Sequence, residues 1–241
     1  MNKLKIGIVV ADNDEYAPLE ALIKTGEYSE YNFLGRTGHS FKVAIDEGEA
    51  QVISLLCGIG KVNAAAATMH LIDKGCNIIL NYGLSGGISG IARGELSLPS
   101  GFLEHDFDLT GIGYKPCEKP SQRYIYTASE MLIKLFLENI ANAKCGTAVT
   151  GDCFVCDEKL RNDLKTQFDA MSCDMETAAI AYICDFSNIP FLSLRRVSDD
   201  AGADAIDSYR DMNTSNETLL SDMIIDFCKV IIKSQDKLYE K

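Results

Sequence analysis

Along this chain the spacing of apolar positions switches back and forth between the two-residue period of strands and the 3.6-residue period of helices. Residues 4–11 (LKIGIVVA) are almost continuously apolar and rich in β-branched side chains, as in a strand buried on both faces. Residues 12–24 then carry Tyr16, Leu19, Leu22 and Ile23 on one helical face. Two runs, 41–46 and 50–57, flank Glu47-Gly48-Glu49 and predict a hairpin. Gly58-Ile59-Gly60-Lys61 opens an alanine-rich helix to about Lys74. A second buried strand, 77–82, ends in Gly83-Leu84-Ser85-Gly86-Gly87, which reads as a loop.

The segment 94–113, with Pro99, Gly101, Gly111 and Gly113, reads as strand plus loop, and 128–139 as an amphipathic helix. A short strand at 146–150 is followed by one at 171–174, which leads into a helix over 176–186 that stops before Pro190. The last clear strand is 191–197. Thr214 and Glu217 have the spacing of a capping box for a final helix to about Lys233, with Leu219, Leu220, Met223, Ile224, Phe227 and Ile231 at helical intervals. Alternation of strands and helices without repeat or linker predicts one α/β domain over residues 1–241, a mixed central sheet flanked by helices.

Composition narrows the partners. The net charge of −12 leaves no basic stripe to neutralise phosphates, so neither nucleic acid nor an anionic membrane surface is expected as a partner. No apolar run approaches the ~20 residues of a membrane span. The cysteines number nine, an odd count, and the amino terminus leads directly into a strand pattern, so reduced thiols and a cytoplasmic location are expected. Cys57, Cys76, Cys184 and Cys228 sit in or beside apolar runs and behave as small hydrophobes. Cys153 and Cys156 form a Cys-x-x-Cys pair, but the chain has only His39, His70 and His105, all distant in sequence, so packing is expected rather than metal or redox chemistry.

Ligands of α/β sheets bind at the carboxyl ends of the strands. There the chain places Asp12-Asn13-Asp14-Glu15, a glycine-rich segment with Ser85, Asp174-Met175-Glu176, and Ser198-Asp199-Asp200. Each acidic cluster taken alone reads as a helix cap. Three of them on one sheet edge repel one another unless a proton, a cation or a substrate intervenes, and Arg195-Arg196 is the local counter-charge. Gly58-Ile59-Gly60 lacks the third glycine of a dinucleotide fingerprint, and no phosphate-binding Gly-x-x-x-x-Gly-Lys-Ser/Thr motif occurs.

Several segments in order resemble the nucleoside phosphorylase and nucleosidase superfamily, and among its members the methylthioadenosine/S-adenosylhomocysteine nucleosidases. Cys57-Gly58-Ile59-Gly60-Lys61-Val62-Asn63-Ala64-Ala65 resembles Ser-Gly-Ile-Gly-Lys-Val-x-Ala-Ala, and Asn81 to Gly87 resembles Asn-Thr-Gly-Ser-Ala-Gly-Gly. His105 to Thr110, Gly151 to Val155, Asp174 to Ala181 and Arg195 to Ala201 continue the match. The resemblance implies a nucleoside phosphorylase-like fold and hydrolysis of the ribosyl bond of a 5′-substituted purine nucleoside. It implies no metal and no organic cofactor.

By the same resemblance, Asp199 protonates the departing purine, Glu15 activates water and Arg195 lies beside them. Glu176 binds the ribose hydroxyls over Met175, Phe154 stacks on the base, the Val155 backbone reads its edge, and Tyr209 covers the ligand. Ser85 and Ser198 complete the expected contacts. The family serine that helps hold the water is Leu84 here, the first acid of Glu-Met-Glu is Asp174, and Asp12 replaces a common methionine. A phosphorylase is the alternative enzyme, but its Gly-Asp-Pro-x-Arg loop is absent and Asn81 stands at its later arginine; a non-catalytic nucleoside-binding relative is the alternative from another class. The resemblance also implies a homodimer or higher homo-oligomer, with 102–110 reaching the neighbouring site.

Overall fold

The apolar run that opens the chain becomes the middle of a sheet, and everything at the site is arranged around it. The computed structural model describes residues 3–213 and 218–235. Its first half contains β1 (Lys5–Val10), α1 (Asn13–Ile23), β2 (Tyr28–Phe33), β3 (Arg36–Ile45), β4 (Gly48–Leu56), α2 (Lys61–Asp73) and β5 (Ile78–Gly87). Short strands β6 (Leu96–Ser97), β7 (Gly101–Glu104) and β8 (Tyr126–Thr127) precede α3 (Glu130–Asn139), β9 (Thr147–Thr150) and α4 (Glu158–Phe168). The chain then forms β10 (Ala170–Asp174), α5 (Thr177–Ser187), β11 (Phe191–Asp199), α6 (Ala205–Asn213) and α7 (Leu219–Lys233).

These strands make one mixed sheet in the order β2-β3-β4-β1-β5-β10-β9-β7-β8, with β11 paired to β5 and to β6. β1 lies parallel between β4 and β5, and β11 runs parallel to β5 from Phe191 opposite Ile79 to Asp199 opposite Gly86. β10 meets the far end of β5 in antiparallel register, Ser172 with Gly87 and Cys173 with Gly86. That geometry returns the carboxyl end of β10 toward the carboxyl ends of β1 and β11.

Strand alternation divides the core between the two faces. Ile6, Ile8 and Val10 of β1 join Leu80, Leu194, Tyr16, Leu19, Phe227 and Ile231 under α1, α3 and α7. Val9 joins Leu55, Ala64, Ala67, Leu71, Ile79, Ala178 and Ile180 under α2 and α5. With both faces covered, the alternating α/β expectation becomes a mixed sheet between helices.

Several expectations are corrected. The 41–57 hairpin is two strands of a three-stranded meander, because the exposed strand β2 pairs with β3. Leu22 is 41% exposed, and Tyr16, Leu19 and Ile23 alone form the buried face of α1. Gly83 to Gly87 continue β5 instead of forming a loop. α4 and α6 were not foreseen, since α4 buries only Leu164 and presents polar residues elsewhere. Thr214 and Glu217 of the expected capping box lie outside the described residues, and the N-cap of α7 is Thr218. Cys153 and Cys156 are exposed rather than packed in the core.

The 102–110 segment also divides differently. Phe102 and Leu103 are buried in the chain's own core, and Lys61 Nζ donates to Glu104 and Asp106. From Glu104 to Thr110 the chain is half-buried or exposed. Among the described residues, no helix is long and apolar enough to cross a membrane.

Candidate active site

The strand β1 ends where Asp12 offers its side chain to the next backbone. Asp12 is the N-cap of α1, and its Oδ1 accepts from the Asp14 N–H at 2.8 Å. Glu15 follows in the first turn of the helix, three residues after that cap. A buried polar contact holds that turn down: the Tyr16 hydroxyl is hydrogen-bonded to His39 Nδ1 and to Ser54 Oγ, each at 2.8 Å. The Tyr82 hydroxyl donates to the Glu15 carbonyl at 3.1 Å.

Glu15 reaches across to β5, where its Oε1 accepts from the Leu84 N–H at 2.7 Å. Glycine is required next door, because a Cβ on Gly83 would stand 2.7 Å from Glu15 Oε2 and 2.8 Å from Arg195 Nη1. Burial pushes the Glu15 carboxyl up to about 8, against the opposing Arg195 charge and the Leu84 hydrogen bond.

Arg195 comes from the middle of β11 and is 2% exposed. A buried guanidinium needs partners for its donors. Nη1 donates to the Leu84 carbonyl at 3.0 Å, Nη2 to Asn81 Oδ1 at 2.9 Å and to Glu176 Oε2 at 3.4 Å, and Nε to Ser193 Oγ at 3.3 Å. Burial alone would lower its pKa, but the carboxylates of Asp174, Glu176 and Glu15 outweigh it and hold the pKa above the ordinary guanidinium value. Asn81 and Ser193 were not picked out as partners from the sequence. Their signal was there: each is a polar residue inside an otherwise apolar buried strand.

At the end of β10 the two acids divide their work. Asp174 Oδ1 accepts from the N–H groups of Glu176 and Thr177 and from Thr150 Oγ1, and Oδ2 accepts from Thr177 Oγ1. It takes up the N–H groups at the start of α5, whose N-cap is Glu176. Glu176 instead turns toward the loop before α2, where its Oε1 accepts from the Gly60 N–H at 3.0 Å. Gly60 has φ of +101°, a conformation that costs a side-chain-bearing residue dearly, and only there does its N–H face Glu176. Burial raises the Glu176 pKa, with Arg195 opposing.

Asp199 closes β11. Its Oδ2 accepts from Ser198 Oγ at 2.6 Å and its Oδ1 from the Ala201 N–H at 2.8 Å. Burial nonetheless holds its carboxyl above the ordinary aspartate range. Phe154 and Val155 follow β9, and the ring of Phe154 meets Tyr209 of α6 edge-on at 5.5 Å between centroids. Ser85 is buried, and its Oγ has no hydrogen-bond partner among the described residues.

All ten candidates, Glu15, Ser85, Phe154, Val155, Met175, Glu176, Arg195, Ser198, Asp199 and Tyr209, line one cavity of about 290 Å³. Ala11, Asp12, Ile59, Leu84, Gly86, Cys153, Cys173 and Asp174 also line it, and of these Cys173 was not singled out in the sequence. Among the described lining residues, Arg195 is the one cation against five carboxyl groups. No group of three or more His, Cys, Asp or Glu among the described residues is arranged to hold a metal ion. Three carboxyl groups with raised pKa values, Glu15, Glu176 and Asp199, thus share one cavity with the Phe154–Tyr209 aromatic pair, a combination suited to acid–base cleavage of a sugar–base bond.

Comparison with known proteins agrees with that chemistry. Residues 5–229 match the family model of the phosphorylase superfamily. The chain is 31% identical over 236 residues to the 5′-methylthioadenosine/S-adenosylhomocysteine nucleosidase of Oceanobacillus iheyensis, covering 95% of this chain and 100% of that one. The S-adenosylhomocysteine nucleosidase of Streptococcus pyogenes, solved with 5-methylthiotubericidin, superposes with a TM-score of 0.84 at 26% identity over 94% of this chain and 97% of that one. The futalosine hydrolase of Helicobacter pylori gives a TM-score of 0.84 at 25% identity, over 96% of this chain and 98% of that one.

Proposed function

This chain belongs to the phosphorylase superfamily and, within it, to the 5′-methylthioadenosine/S-adenosylhomocysteine nucleosidase family, and we propose that it hydrolyses the N-glycosidic bond of 5′-substituted purine nucleosides. Water is the nucleophile. The observation that carries this choice is the occupancy of Arg195, the one cation among the described residues of the cavity, by the Leu84 carbonyl, Asn81 and Glu176. A phosphate dianion would find no free counter-charge there. At ~4 Å from a carboxylate it would meet about 4 kcal/mol of repulsion per charge pair at an effective dielectric near 20.

In the proposed mechanism the purine lies against Phe154 under Tyr209, with the Val155 backbone at its edge. Asp199, whose raised pKa favours the protonated form, gives its proton to the imidazole nitrogen of the purine as the bond to the sugar lengthens. The base departs neutral, and the sugar becomes oxocarbenium-like. Glu176 accepts hydrogen bonds from the ribose hydroxyls above Met175. Glu15 takes a proton from the attacking water, and Arg195 holds Glu176 and the Leu84 carbonyl in place around it. Ser198 steadies Asp199, and Ser85 brings its unpartnered hydroxyl to the purine side.

We further propose that the chain works in the cytoplasm as a homodimer or higher homo-oligomer. Free thiols at all nine cysteines support the location. Val62 of α2 and Phe186 of α5, about four-fifths exposed, support an apolar contact between subunits.

The test is release of adenine from methylthioadenosine and from S-adenosylhomocysteine, without phosphate and then with it. Equal turnover in both, yielding the free sugar, is expected. Turnover only with phosphate would replace this reading by phosphorolysis.

A further inference from the structure

Resting on the nucleosidase reading, we propose that Asp12 selects the 5′ substituent: the cavity favours adenosines whose 5′ group carries an ammonium or another strong hydrogen-bond donor, and disfavours those whose 5′ group is a carboxylate or phosphate. Four of the five acids in the cavity already have partners that account for them. Glu15 accepts from Leu84, Glu176 from Gly60 and Arg195, and Asp199 from Ser198 and Ala201. Asp174 has both oxygens engaged in starting α5. Asp12 is different. One of its oxygens accepts from the Asp14 N–H, and the other accepts no hydrogen bond from any described residue.

Position points to the 5′ group. Asp12, the N-cap of α1, stands three residues before Glu15 in the first turn, and both line the cavity. The charge of Asp12 bears on Glu15 and on the Tyr209 hydroxyl. With water at Glu15 and the vicinal hydroxyls at Glu176, the remaining projection of the sugar is C5′, and Asp12 is the remaining acid. An anionic 5′ group arriving there meets a carboxylate and no free cation, since Arg195 is engaged. An ammonium meets an oxygen with an unused lone pair, the charge-assisted pairing.

Asparagine caps a helix as well as aspartate does, so Asp12→Asn removes the charge and keeps the cap. Three nucleosides probe it: 5′-methylthioadenosine, 5′-amino-5′-deoxyadenosine with its amine protonated, and adenosine-5′-carboxylate. Both hydrolysis (kcat/KM) and binding (calorimetric Kd) are measured for the wild type, Asp12→Asn and the capping, uncharged Asp12→Ser. The wild type is expected to favour the ammonium over the carboxylate compound by at least about tenfold in each, and both variants to lower that ratio by about tenfold. Unchanged ratios in folded variants overturn the proposal while the hydrolase reading stands. If the wild type hydrolyses none of the three, the hydrolase reading fails and the binding ratios alone decide on Asp12. If it binds none of them, both fall.

Discussion

The loops that open α1 and α5 follow one plan and put it to opposite uses. Each comes off a buried strand with an aspartate and places a glutamate shortly after, Asp12 with Glu15 and Asp174 with Glu176. At α5 the aspartate receives hydrogen bonds on both oxygens and lies buried, so it is part of the fold. At α1 the aspartate receives one, and the neighbouring Glu15 receives a single backbone N–H with its pKa driven up by burial. The number of donors aimed at a carboxylate separates the two cases. A carboxylate saturated by backbone and hydroxyl donors is fixed as structure. One that is buried with few donors can exchange a proton and is available for chemistry.

The sharpest break of this comparison is at the glutamate of the first loop. Glu15→Gln keeps the shape and the capacity to accept from Leu84 but cannot take a proton. It should lower kcat by ~10²-fold or more, read by adenine release, and Asp199→Asn should do the same from the acid side. Wild-type turnover in either would remove that residue from the mechanism.

Next in size is the structural aspartate. Asp174→Ala leaves the buried N–H groups of Glu176 and Thr177 and the hydroxyls of Thr150 and Thr177 without their acceptor. Such a loss costs about 2–3 kcal/mol of stability, measured by denaturant unfolding. A cost below about 1 kcal/mol would mean that Asp174 is not what starts α5.

Smaller again is the effect of pH, about tenfold in rate per unit. If Glu15 acts ionised, kcat/KM should fall about tenfold for each unit below an apparent pKa near 8. Stability should run the other way. The folded carboxyl keeps its proton to about 8 whereas the unfolded one releases it near 4.5, so the folded state binds the extra proton between those values. That stability is complete below the unfolded pKa and is lost as pH rises through about 8. A rate profile flat from pH 6 to 9 would show that Glu15 is already ionised in the free cavity, or is not the base.

The smallest change concerns the cap of the first loop. Asp12→Ala should cost ~1 kcal/mol through the one lost hydrogen bond, less than Asp174→Ala, as the difference in donor number requires. Equal costs for the two alanine variants would undo the comparison.

Reading the fold from the sequence worked best where burial is strongest. The runs that became β1, β5 and β11 are apolar enough to admit only a core strand, and α2 and α7 repeat their apolar residues at helical intervals. It failed where packing is one-sided. β2 is mostly exposed, and α4 keeps only Leu164 in the core, so neither leaves an apolar pattern to follow. The glycine-rich stretch misled for another reason: glycine signals a turn by default, but Gly83 is glycine because Glu15 and Arg195 occupy the space of a side chain within a strand.

For the site, the sequence by itself determined which residue types stand at the strand ends, because local propensity places acids at helix starts and glycines beside them. It could not assign those acids to structure or to chemistry. That division rests on donors contributed from far away in the chain: Leu84 lies 69 residues from Glu15, and Gly60 lies 116 from Glu176. Only the folded sheet brings them within hydrogen-bond distance and shuts out the water that would otherwise level the pKa values. The raised pKa of Glu15, the engagement of Arg195 and the spare oxygen of Asp12 are therefore properties of the tertiary structure.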